Sequence, residues 1–288
     1  MLRQAFSRDH TTDMSITGVT KIFAVVGDPV VQVRAPELMN QVFMSNRFDA
    51  VMFPVNVTAQ DLGQTMHALK SWKNLHGILV TIPHKFAACE YADTLSEVAT
   101  LAGCANAFRR ESDGTWFAEN FDGEGFVQGL ATSGFELSGK HVMIVGAGGA
   151  GASIAAALSR QPVASITITD IDPGRSDSLA QRLAGSTCAV ASAAPGNIPN
   201  GVQLAINATP LGLSASDPLP FDPKHLGREC LVADVIMKPA VTELLKTASA
   251  FGLAIHHGAP MLNAQIDLYT KFFRIRSANG GVKKALAP

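Results

Sequence analysis

Three short stretches carry residue types that chemistry uses. In "LVTIPHK" (79–85) an apolar run ends in a proline and then a lysine, Lys85, where the chain must turn. "GAGGAG" (146–151) has the spacing G-x-G-x-x-G, follows the apolar "HVMIV" and precedes the alanine-rich "ASIAAAL". "SITITD" ends in Asp170, nineteen residues beyond Gly151. An amine at the mouth of a strand suits proton transfer if a partner holds it, and does nothing if it only opens a surface helix. The glycine motif is weak alone, but strand before and helix after give it meaning. Gly146 would allow the tight turn, Gly148 the close approach of a pyrophosphate, and Gly151 the packing of helix on strand, with the helix N-terminus facing the phosphates. A carboxylate at position 170 suits the ribose hydroxyls of NAD and opposes the 2′-phosphate of NADP; like charges about 4 Å apart cost roughly 1 kcal/mol in water and about 4 at intermediate dielectric. NAD is therefore the expected cofactor, with NADP the alternative that Arg175 leaves open.

The elements that must position these groups alternate. "KIFAVVG", "AVMFPVNV" and "GILVTIP" read as strands, separated by helical patterns over "PELMNQVFMSNR" and "AQDLGQTMHALKSWK" and followed by one over "HKFAACEYAD". "ANAFRRE" and "TWFAEN" flank "SDG" as a hairpin, and "DGEGFVQGLATSG" reads as a helix leading away. From residue 141 the alternation restarts, with strands in "HVMIV", "SITITD", "LAINATP" and "CLVADVI" and helices in "SLAQRLAG" and "VTELLKTASAFG". This predicts two α/β domains with largely parallel sheets covered by helices on both faces. The last segment, "PMLNAQIDLYTKFFRIRS", is an amphipathic helix with Met261, Leu262, Ile266, Tyr269, Phe272 and Phe273 on one stripe, expected to pack on a domain. Expected boundaries are a disordered leader over 1–20 with Met14 as an alternative start, a substrate-binding domain over 21–125 plus 260–288, and a Rossmann dinucleotide domain over 126–259.

A chain of 288 residues is long for a single core, and 47% hydrophobic residues supply two. A net charge of −1 argues against nucleic acid, and no apolar run approaches a membrane span of roughly 18 residues. Cys89, Cys104, Cys188 and Cys230 stand singly, which fits reduced thiols in the cytoplasm; no metal-ligand spacing is present. The expected partner is a small molecule, and the chain a monomer or homodimer.

The ordered series "GDPV", "VTIPHK", "AGCANA", "ENFDGEG", "VGAGGAG", "INATPLG", "ADVIMKP" and "GAPMLNAQ" resembles the shikimate dehydrogenase family from residue 21 onward. The resemblance implies a catalytic pair, Lys85 and Asp122, with Asn106 and Gln265 lining the substrate pocket and Thr81 nearby. It implies cofactor contacts from Gly146, Ala147, Gly148, Gly149, Ala150 and Gly151, from Asp170 and Ile171, from Asn207, Ala208 and Thr209, and from Val235. The implied reaction is reversible oxidation of a secondary alcohol of shikimate, quinate or a related cyclic hydroxy acid. The residue types suit it: hydride leaves for the nicotinamide, and the proton needs a base that an adjacent carboxylate can hold in place.

The sequence departs from the family where the substrate carboxylate is held. Two serines of the first loop are replaced by Val33 and Ala35, which removes hydrogen bonds to a charged group worth roughly 1.5 to 3 kcal/mol each. Arg34, Gln32 and His84 are the candidates to replace them, an exposed loop arginine being the plainer reading of Arg34. Leu79 stands for an asparagine, Phe121 for a threonine and Met237 for a tyrosine. The swaps point to a less polar or differently oriented substrate and to slow turnover of shikimate. Two alternatives remain: an NAD-binding sensor without turnover, in which Lys85 and Asp122 have no chemical purpose, and methylene-tetrahydrofolate dehydrogenase, which "NFDG" and "MLNAQ" fit poorly.

Overall fold

β1 (Lys21–Gly27), α1 (Ala35–Ser45), β2 (Ala50–Asn56), α2 (Leu62–Ser71) and β3 (Leu75–Val80) open the chain as a parallel unit with strand order β2-β1-β3. The computed structural model describes residues 16–276; most of the expected leader and the end of the last segment lie outside the described residues. Successive side chains of β1 point to opposite faces. Phe23 and Val25 pack on one side with Met39, Val42 and Phe43 of α1, while Ala24 and Val26 pack on the other with Met66 and Leu69 of α2.

Beyond β3 the expected helix over 84–93 is only a 3-10 turn, Ala87–Tyr91. The backbone there is tied outward instead, since the Ala105 N–H donates to Lys85 O at 2.9 Å. β4 (Thr94–Leu95) and α3 (Glu97–Ala102) follow, then the expected hairpin, β5 (Ala107–Arg110) and β6 (Trp116–Glu119). β5 runs antiparallel to β3, so the first sheet is mixed, in the order β2-β1-β3-β5-β6-β4. α4 (Asp122–Thr132) then leaves this sheet.

The second sheet is parallel throughout, in the order β12-β11-β10-β7-β8-β9, the arrangement of a Rossmann domain. It comprises β7 (His141–Val145), β8 (Ser165–Thr169), β9 (Ala189–Ala193), β10 (Leu204–Asn207), β11 (Leu231–Asp234) and β12 (Ala254–His256). α5 (Gly149–Leu158) and α6 (Pro173–Arg182) cover one face and α7 (Glu243–Ala250) the other. α6 begins five residues before the expected helix because Asp172 caps it, accepting from Gly174 N, with Pro173 in the first turn.

α8 (Ala259–Phe272) returns to the first domain, and Leu262, Ile266, Tyr269, Phe272 and Phe273 join the core around Phe23 and Phe43. α4 packs against both α5 and α8. Glycines allow that approach: a Cβ on Gly123 would lie 2.0 Å from Ser153 O, and one on Gly125 would lie 2.6 Å from Gln265 Cγ. The expected boundaries at 125/126 and 259/260 fall inside α4 and at the start of α8. Among the described residues no helix is long and apolar enough to cross a membrane.

Candidate active site

The site forms where the C-terminal ends of β3 and β7 face each other across α4. The loop after β3 is pinned by the Thr81 N–H, which donates to Val26 O at 2.9 Å, and delivers Lys85 to the open end of the sheet. Asp122 occupies the first turn of α4, where the positive end of the helix dipole favours a carboxylate, and its N–H donates to Asn120 Oδ1 at 3.0 Å. Lys85 Nζ donates to Asp122 Oδ2 at 2.5 Å, with the two side chains 13% and 5% exposed. Asp122 Oδ1 accepts from Gln265 Nε2 at 2.7 Å and from Asn106 Nδ2 at 3.0 Å. Three other segments of the chain, carrying Lys85, Asn106 and Gln265, thus converge on one buried carboxylate. Its charge-assisted hydrogen bonds offset the cost of taking it out of water.

These groups open into a cleft of about 210 Å³. Thr81, Asn106, Gln265, Val33, Ala35 and Met237 line it together with Lys85 and Asp122. Phe121 is a correction. Its ring packs edge-on to Tyr269 and Phe272, with centroids 5.6 and 5.2 Å away, so it braces the core and is not part of the lining. His84 is another: it is buried with Nε2 2.6 Å from Val57 O, and so holds β2 to the loop instead of facing a substrate. Arg34 and Gln32 do border the cleft, but Gln32 Nε2 is spent on Pro29 O at 2.8 Å and Arg34 lies 3.8 Å from Glu37. Leu79 and Met237 leave apolar wall.

The glycine loop forms the other side. Gly146 has φ +104, and a Cβ on Gly151 would lie 1.8 Å from Gly146 O, so neither position admits a side chain. Above Gly148 the space is open, and α5 starts there with no side-chain cap, so the first amides of the helix remain available to an anion. This donor set fits a pyrophosphate. Gly149 approaches the lysine itself: a Cβ there would lie 3.0 Å from Lys85 Cδ. Ala150 and Val235 reach the cleft lining, and Ala208 and Thr209 lie against Gly146. Asp170 follows β8 directly and is 8% exposed; Oδ2 accepts from Ala147 N at 2.6 Å and Oδ1 from Asp172 N at 2.9 Å. Ile171 beside it is 93% exposed.

Asn207 was expected to touch the cofactor, but its side chain is fully buried. Nδ2 donates to Leu211 O at 3.0 Å and Asp234 Oδ2 at 3.2 Å, while Oδ1 accepts from Thr209 Oγ1 at 2.7 Å. Asn207 therefore shapes the turn that presents Ala208 and Thr209. Beneath the floor, Asn120 Nδ2 donates to Cys104 Sγ at 3.1 Å, and Cys104 Sγ donates to Gly149 O at 3.4 Å. Burial, and then the charge of Asp122, pushes the Cys104 thiol up to about 12, so it stays protonated. Sequence reasoning missed Tyr269 as a lining residue. The available signal was its position one helical turn after Gln265.

A family model described as the shikimate dehydrogenase substrate binding domain matches residues 25–108, and one described as shikimate / quinate 5-dehydrogenase matches residues 129–195. The chain is 32% identical over 282 residues to the shikimate dehydrogenase (NADP(+)) of Rubrobacter xylanophilus, covering 94% of this chain and 97% of that one. This chain belongs to the shikimate dehydrogenase family. Two solved structures are similar to it over most of the chain. The quinate dehydrogenase of Corynebacterium glutamicum, in complex with NAD, is 27% identical with a TM-score of 0.78, covering 89% of this chain and 93% of that one. The ligand-free 5-ketofructose reductase of Gluconobacter sp. strain CHM43 is 27% identical with a TM-score of 0.79, covering 92% and 95%. As a member of the family the protein is an NAD(P)-dependent oxidoreductase of the shikimate dehydrogenase type, acting on a CH–OH group of a small molecule.

Proposed function

We propose that this protein interconverts a secondary alcohol and its ketone on a cyclic hydroxy acid or related polyol, using NAD in preference to NADP, with Lys85 and Asp122 as the acid/base pair. The observation that carries the reading is the 2.5 Å contact between Lys85 Nζ and Asp122 Oδ2 in a cleft whose opposite side is the glycine loop. Residues 21–125 with 260–276 serve as the substrate unit and 126–259 as the dinucleotide unit. When bound, the nicotinamide supplies the hydride acceptor for oxidation and the donor for reduction. Lys85 takes the hydroxyl proton as the carbinol carbon loses hydride, and returns it to the carbonyl oxygen in the reverse direction. Asp122 holds the amine in place. Asn106 and Gln265 keep the carboxylate from turning, and the packing of Gly149 on the lysine stem restricts where the amine can go.

Preference for NAD is supported by Asp170 at the end of β8 and by Asp172 two residues on. The nearby Arg175 is engaged with Asp172 at 3.5 Å, which weakens its pull on a 2′-phosphate. The substrate follows from the wall. Val33 and Ala35 offer no hydroxyl to a carboxylate, so shikimate itself is held weakly. A carboxylate-free ketone is the second reading, favoured by this apolar wall and by the likeness to a protein named 5-ketofructose reductase. The retained pair speaks against a sensor that only binds NAD.

A kinetic survey of shikimate, quinate and 5-ketofructose with both cofactors tests the reading. Turnover of quinate or 5-ketofructose with NAD(H), faster than that of shikimate, is expected; efficient turnover of shikimate with NADP alone would remove both the cofactor and the substrate preference.

A further inference from the structure

Tyr269 is a polar group of the cleft whose own proton goes unused. It leaves α8 one turn after Gln265, on the same face, and both side chains line the cleft. Its hydrogen bonding follows from Asn106. Asn106 Oδ1 accepts the Phe121 N–H at 3.0 Å, which fixes the amide so that Nδ2 faces Asp122 Oδ1 at 3.0 Å and Tyr269 Oη at 3.3 Å. The phenol oxygen is therefore an acceptor in that contact, and among the described residues no acceptor takes its proton. Buried hydroxyl donors seldom go without a partner. The ring cannot easily swing away, because Phe121 stands edge-on at 5.6 Å and Phe273 lies at 6.4 Å. Burial, and then the charge of Asp122, pushes the phenol well above its ordinary value, so the group stays a donor at any working pH.

We infer that Tyr269 is a specificity residue whose O–H donates to a second, neutral oxygen of the substrate, a hydroxyl other than the one Lys85 acts upon. The oxygen is neutral because the phenol sits two hydrogen bonds from Asp122, where a substrate carboxylate would meet like charge. The substrate class is thereby narrowed to polyhydroxylated compounds, oriented by their hydroxyls at the floor instead of by a carboxylate at the first loop. The inference rests on the cleft being the substrate site of the proposed function.

The test is Tyr269→Phe, which keeps the ring and its packing. Steady-state kinetics would be measured on whichever of shikimate, quinate and 5-ketofructose the unaltered protein turns over fastest. 3-Hydroxycyclohexane-1-carboxylate, with only the reacting hydroxyl, serves as the control. The loss of one neutral hydrogen bond predicts a KM for the polyhydroxylated substrate raised roughly three- to tenfold, with kcat and the KM for NAD within about twofold and the control compound unaffected. An unchanged KM, or an equal rise for the control, would overturn the inference alone. Absence of turnover of every compound by the unaltered protein would overturn the functional reading and the inference with it. Should the variant fold poorly, a structure of the unaltered protein with bound substrate decides: a substrate hydroxyl within about 3.2 Å of Tyr269 Oη is expected, and none within about 4 Å is the contrary result.

Discussion

At the floor of the cleft Lys85, Asn106 and Gln265 all donate to one carboxylate, whereas along its wall Val33, Ala35, Leu79 and Met237 have no side-chain donor or acceptor to offer except a thioether. The floor is a closed network in which each group fixes the next; the wall is apolar surface tolerant of change. On the proposed function, proton transfer belongs to the floor and recognition of a substrate carboxylate to the wall. A chain of this family can keep the first while altering the second.

The comparison breaks most severely at the floor. Lys85→Met should lower kcat by about 10²- to 10⁴-fold, the usual contribution of a positioned acid/base, with NADH affinity unchanged in a fluorescence titration. Unchanged turnover would take the lysine out of the mechanism. At the wall the sign reverses. Restoring the hydroxyls with Val33→Ser and Ala35→Ser should raise kcat/KM for shikimate, by roughly tenfold or more per serine if each bonds the carboxylate, and leave the rate on a carboxylate-free ketone nearly untouched. No gain would mean that Arg34 already holds the carboxylate. At the edge of the nucleotide site, Asp170→Ser should narrow the preference for NAD over NADP by about tenfold, measured as the ratio of kcat/KM values. The loss of its bond to the Ala147 N–H would also weaken NAD somewhat.

The smallest expected effect lies under the floor. Iodoacetamide at pH 8 should label Cys89 and Cys188 well before Cys104 and Cys230, whose thiols are pushed up to about 12 and about 11 chiefly by burial, with activity retained throughout. Early loss of activity together with Cys104 labelling would show that the floor opens in solution.

How much of this was legible in the sequence follows the same division. Most strands and the glycine turn were readable because each is a contiguous run bounded by turn residues, whereas the short β4, β9 and β12 were not read; Lys85 and Asp122 entered through the family resemblance. What escaped depended on contacts between segments. Asn207 lies in a motif beside the cofactor loop, yet its side chain is consumed by Leu211 O, Thr209 and Asp234. Tyr269 sat on an apolar stripe and was read as core, which its ring is, while its oxygen meets Asn106 from another domain segment. α3 carried its signals, a Ser96 cap bonding Ala99 N and Gly103 at φ +68, but six residues are too few for a periodic pattern. The 84–93 segment had helical composition, and tertiary hydrogen bonds overrode it.

The central claim is that Lys85 and Asp122 act as one unit on one proton. A double-mutant cycle measures this directly, comparing kcat at saturating substrate and NAD for Lys85→Met, Asp122→Asn and the double variant. The account predicts that the double variant is no slower than the slower single variant; losses that multiply would show two independent roles and contradict it.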